Sequence, residues 1–99
     1  MVTLKLIAEY GCWPVWEVTA GGRLENLDPS SMPISAALAE ELINWAEAFD
    51  NTLVYDYPPW PGFADRHAAL AWRQLGATLA SRLQAELGAN RCQVVYEGS

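Results

Sequence analysis

Apolar and polar residues alternate from Val2 to Glu9. Val2, Leu4, Leu6 and Ala8 fall on one side, and Thr3, Lys5, Ile7 and Glu9 on the other. A period of two is that of a half-buried strand, and Gly11 breaks it. Val15 to Thr19, "VWEVT", is β-branched and aromatic and predicts a second strand. If these two pair as a hairpin, Gly11 to Pro14 connects them. Ala20-Gly21-Gly22 then turns the chain. Arg23 to Pro33 has two prolines, two serines and an Asp-Pro pair, all turn chemistry, and reads as irregular.

The period then changes. Ile34, Leu38, Leu42, Trp45 and Phe49 recur every three or four residues, the stripe of an amphipathic helix from Ala36 to about Asp50. Ser35 stands where its N-cap should be. A second stripe, Ala68, Trp72, Leu75, Leu79, Leu83 and Leu87, predicts a helix from about Ala64 to Leu87. Gly88 is placed to end it in a left-handed cap. Gly76 inside it costs about 1 kcal/mol of propensity relative to Ala, and its small size suits close packing on a strand or on the other helix. Arg91 to Glu97 alternates again, with Cys92, Val94 and Tyr96 against Gln93, Val95 and Glu97, and gives a third strand. The order β-β-α-α-β implies an α+β two-layer sandwich. Its three-stranded sheet would carry both helices on one face, with the N-terminal strand central.

Composition refines this picture. Ninety-nine residues predict one domain, and a hydrophobic content of 52% is enough to fill a core. No apolar run nears the ~20 residues of a membrane span. The N-terminus lacks the basic start and long apolar middle of a signal peptide, so a cytoplasmic protein is expected. Cys12 and Cys92 are far apart in sequence and read as two buried thiols in a reducing compartment, with a disulfide between them the lesser alternative. Net charge is −6, unevenly spread. Residues 1–57 carry nine acids against Lys5 and Arg23, whereas residues 58–99 carry three acids against four arginines. Nucleic-acid binding needs a basic footprint and is not expected. A basic protein partner is compatible with the acidity, and so is solubility alone.

Catalytic chemistry finds little support. The single histidine, His67, lies about 140° from the Trp72 direction on the second helix and is expected at the surface. One histidine and two distant cysteines make no metal site, and no phosphate-cradling glycine motif occurs. No cofactor, metal or catalytic residue is therefore expected, and the chain does not read as an enzyme. Glu40, Glu47 and Asp50 form a carboxylate cluster, which on a helix is usually only a solvated face, so acid–base work is not indicated.

Surfaces are more informative. Ile43 misses the core stripe and falls among Glu40, Glu47 and Asp50. An aliphatic side chain ringed by charge resembles an interface centre, although a lone exposed Ile is also ordinary. Arg66, Leu70 and Arg73 make a similar patch on the second helix. Between the helices, "VYDYPPWPGF" places Tyr55, Tyr57, Trp60 and Phe63 with three prolines and Asp56. These aromatics suit either a lid over the core edge or an acidic recognition loop. A mixture, with Phe63 buried and others presented, reconciles both. "PPWP" lacks the basic flank of an SH3 ligand.

The run "ENLDPSSMPISAALAEELINWAEAFDNTL", then "PGF", then "LASRLQAELG" before a final "VVY" resembles small acidic bacterial immunity proteins. These belong to toxin–immunity systems of the contact-dependent growth inhibition type. The similarity spans roughly residues 25 to 96, and its motifs are structural: a capped helix, a Gly-Phe turn and a Leu-rich helix. It implies a cytoplasmic, non-enzymatic protein that binds and blocks a cognate toxin, often a basic nuclease, and it carries over no catalytic residues. The aromatic "VYDYPPWP" departs from the more polar loop of such proteins. The expected partner-binding residues are Glu40, Ile43, Glu47 and Asp50 on the first helix, and Tyr55, Asp56, Tyr57 and Trp60 in the loop. A homo-oligomerisation module and a small-ligand-binding domain are the competing readings.

Overall fold

A computed structural model describes residues 2–51 and 66–97. Its elements are β1 (Val2–Leu6), β2 (Val15–Val18), β3 (Leu24–Leu27), a 3-10 turn (Pro29–Ser31), α1 (Ala36–Asp50), α2 (Arg66–Leu87) and β4 (Cys92–Tyr96). The sheet has four strands in the order β3-β2-β1-β4. β1 pairs antiparallel with β2 and parallel with β4, so the N-terminal strand is central, as expected. Both helices pack on the face that carries Leu4, Leu6, Val15, Val94 and Tyr96. The fold class is the expected α+β arrangement, with one strand more.

That strand is the main correction. β3 lies inside the segment expected to be irregular. Leu24-Glu25-Asn26-Leu27 has no apolar alternation, because it is an edge strand whose first two residues are exposed. Tertiary pairing makes it a strand. Ala20-Gly21-Gly22 closes a tight hairpin, in which Thr19 N–H donates to the Arg23 carbonyl at 2.8 Å. The Asn26 side chain fastens β3 to the chain entering β2. Its Nδ2 donates to the carbonyls of Trp13 (2.7 Å) and Val15 (3.2 Å), and its Oδ1 accepts from Trp13 N–H (2.9 Å).

α1 follows its prediction. Leu38, Leu42 and Trp45 are buried, and Ile34 and Phe49 pack on the same cluster. Burying each such side chain is worth about 1.5–3 kcal/mol. Ser35 caps the helix by accepting from Leu38 N–H at 3.1 Å. α2 needs a correction. Its buried line is Ala69, Trp72, Gly76, Leu79, Ala80, Leu83 and Leu87, while Leu75 is 47% exposed. The cause is a close approach at Gly76. A Cβ placed there would lie 2.5 Å from the Tyr96 hydroxyl and 2.6 Å from the Trp45 ring. The helix turns its bare backbone to the core and carries Leu75 outward. Gly88 ends α2 with a φ of +89°, as expected.

Two tryptophans join the helices. The Trp45 and Trp72 rings stack at 4.4 Å and 3°. Each indole N–H donates to the other residue's carbonyl, at 2.9 and 3.0 Å. Buried indoles thus satisfy their donors while contributing their full apolar area. Cys12 and Cys92 are free and half-buried, a shade more accessible than the buried thiols expected.

Candidate functional site

The flank of α1 beside its buried stripe carries Glu40, Ile43, Glu47 and Asp50, at spacings of three, four and three residues. They extend over about 15 Å of helix axis. Ile43 is half-buried and central, and Glu40 and Glu47 are exposed on either side of it. Two hollows of about 390 Å³ each meet at Ile43. One runs toward the β1–β2 connection and is walled by Cys12, Trp13, Asn26, Glu47 and Asp50. The other runs toward the 3-10 turn and is walled by Pro29, Ser30, Ile34, Ala39 and Glu40. Together the two hollows make a trough along α1, with Ile43 lining both and Glu40, Glu47 and Asp50 among the walls.

Four sequence-predicted residues come together here, with one change of role. Asp50 accepts from Gly11 N–H at 3.0 Å and so holds the β1–β2 connection against the end of α1. The two ion pairs among the described residues, Lys5–Glu97 and Arg82–Glu41, use neither Glu40 nor Glu47. Those two carboxylates face solvent with their charge uncompensated by a described cation. The expected residues Tyr55, Asp56, Tyr57 and Trp60, and Phe63 beside them, lie outside the described residues. Arg66, Leu70 and Arg73 are exposed on α2, as expected, and Leu70 is 40% exposed.

Trp13 is the residue that reading the sequence missed. It is 45% exposed in the trough wall, and both its backbone groups are held by Asn26. Its ring is thus presented from a fixed main chain. The signal was available, since an aromatic in a Gly-Cys-Trp-Pro connection is as conspicuous as the aromatics of residues 54–63. Nearby, Tyr10 stacks on Phe49 at 4.5 Å, Phe49 on Trp72 at 5.4 Å, and Trp72 on Trp45. The trough wall is thereby tied to the core by contiguous rings.

Among the described residues no group of three His, Cys, Asp or Glu could hold a metal ion. Neither hollow is walled by histidine, and His67 is exposed on α2. No described helix is long and apolar enough to cross a membrane. In comparisons with known proteins, a family model described as Serratia CdiI immunity protein-like matches residues 2–99. No curated protein matches the chain.

Proposed function

This chain belongs to the Serratia CdiI immunity protein-like family, and we propose that it binds and neutralises a cognate toxin in the cytoplasm. The proposed toxin is basic, with a nuclease the expected activity, and the chain acts by occupying its surface rather than by catalysis. The observation that carries this reading is the acid-rimmed trough centred on Ile43 in a chain matched over nearly its whole length. Glu40 and Glu47 steer the approach of a basic partner, because uncompensated surface charge raises association rates more than it raises affinity. Ile43 and Trp13 supply anchors, since a few buried apolar and aromatic contacts carry most of the energy of an interface. On sequence alone, Tyr55, Asp56, Tyr57 and Trp60 join the same proposal as further aromatic and acidic contacts.

The direct experiment is co-purification with the product of the neighbouring upstream gene, together with rescue of cells that express it. A product that neither binds nor is neutralised overturns the proposal. Within a complex, Glu40→Lys combined with Glu47→Lys slows association about tenfold or more at low salt and flattens its salt dependence. Stopped-flow rates measured from low to high ionic strength check this, and unchanged rates remove α1 from the interface.

A further inference from the structure

The two edges of the sheet are treated differently. At the β4 edge, Val2 N–H donates to the Arg91 carbonyl and Glu97 N–H to the Leu6 carbonyl. Residues 91, 93, 95 and 97 therefore face β1, and Cys92, Val94 and Tyr96 point outward. The outward groups are largely used. Cys92 N–H donates to the Gly88 carbonyl at 3.1 Å. The Gln84 side chain donates to the Cys92 carbonyl and accepts from Val94 N–H, both at 2.8 Å. An amide from α2 thus does what a neighbouring strand would do and blocks that edge.

At the β3 edge nothing comparable occurs. Thr19 N–H donates to the Arg23 carbonyl, so residues 23, 25 and 27 face β2 in the antiparallel alternation. Leu24 and Asn26 turn their N–H and C=O groups outward, and these meet no partner among the described residues. Asn26 spends its side chain on Trp13 and Val15, and its outward backbone is left without a partner among the described residues. Charge indicates what could fit. Glu25 lies directly opposite Glu17 across the β2–β3 pair. Like charges so placed repel, and neither belongs to a described ion pair. A Lys or Arg beside Glu25 on an added strand would relieve that repulsion. A second copy of this chain would instead bring another Glu17–Glu25 pair to the same edge.

We infer that the β3 edge, at Leu24 and Asn26, receives an extended basic segment of the toxin as an additional strand. This rests on the immunity reading above and adds a place and a mode to it. The added strand lies next to the trough, because Asn26 belongs to both. Main-chain pairing supplies the binding, and basic side chains supply the choice of partner.

The test uses the full chain and the purified toxin domain encoded beside it. Leu24→Pro removes an outward N–H that the sheet does not use, a position where edge strands accept proline. Its affinity for the toxin domain should fall about tenfold or more, with the circular dichroism spectrum of the free protein unchanged. Independently of that variant, wild-type amide exchange should slow at Leu24 and Asn26 on complex formation and stay constant at Cys92 and Val94. If the wild type binds but those two amides remain unprotected, the edge inference is overturned and the immunity reading stands. If the wild type does not bind, both fall. A wild-type dimer in light scattering that Leu24→Pro makes monomeric also overturns the inference, in favour of self-pairing.

Discussion

Gly76 shows how one residue sets a helix face. Its missing side chain admits the Tyr96 hydroxyl and the Trp45 ring, and the Tyr96 hydroxyl continues on to donate to the Arg73 carbonyl at 2.8 Å. Burial raises the pKa of that phenol, with the nearby Arg73 opposing the shift. Gly76→Ala gains about 1 kcal/mol of helix propensity but forces a methyl group into space already filled by two rings. Overpacking costs about 1–3 kcal/mol, more where rings cannot give way. The expected outcome is a net loss of about 1–2 kcal/mol, seen in urea unfolding as a lower midpoint with an unchanged slope. An interior glycine with a packing purpose was legible in the sequence; its displacement of Leu75 from the core was not. A hydrophobic stripe counts side chains, and here the core selected a position that has none.

Between elements, the join of α1 to α2 has a feature that linear motifs do not express. In a capping box, a glutamate three residues into the helix returns to the backbone of the N-cap residue. That position in α1 is Leu38, and Glu86 of α2 takes the role instead. Glu86 accepts from Ser35 N–H at 2.6 Å and from the Ser35 hydroxyl at 2.8 Å. The same hydroxyl accepts from Leu38 N–H. The Ser35 backbone and side-chain bonds hold the Glu86 pKa below the usual 4.5, with Arg82 adding to them against a desolvation effect of opposite sign. A lowered folded pKa means stability that is present above 4.5 and lost as pH falls through the folded value. Glu86→Gln should therefore show a shallower loss of thermal stability than wild type as pH drops below that point, with lower stability near neutrality. Melting temperatures across an acid series check it. Ser35 was legible as a cap because cap preference is local, whereas Glu86 was not, being 51 residues away in sequence. β3 was missed for a related reason. An exposed edge strand has no buried face to impose alternation, and its pairing depends on the hairpin and on Asn26.

For the whole molecule, Leu4, Leu6 and Val15 of the sheet, Leu38, Leu42 and Trp45 of α1, and Trp72, Leu79 and Leu83 of α2 form one cluster. β1, β2, α1 and α2 cannot lose their places without opening that cluster. We expect one cooperative transition, with the far-ultraviolet signal of the helices and the near-ultraviolet signal of the Trp45–Trp72 stack coinciding during urea unfolding. Separate midpoints would divide the chain into independently stable parts. In three dimensions Trp13, Asn26 of β3 and the α1 acids Glu47 and Asp50 line one hollow. By itself the sequence determined the periods of two and 3.6, the capped start of α1, the glycine end of α2 and the acid-ringed Ile43. Each depends on neighbours within a few residues, or on the need of every apolar stripe for a shared core. Only the tertiary structure decided that Leu24 to Leu27 would be a strand, that Gly76 rather than Leu75 would face inward, and that Trp13 would share a trough with Ile43. Those outcomes depend on contacts between residues distant in sequence, where packing and hydrogen-bond satisfaction outweigh local preference.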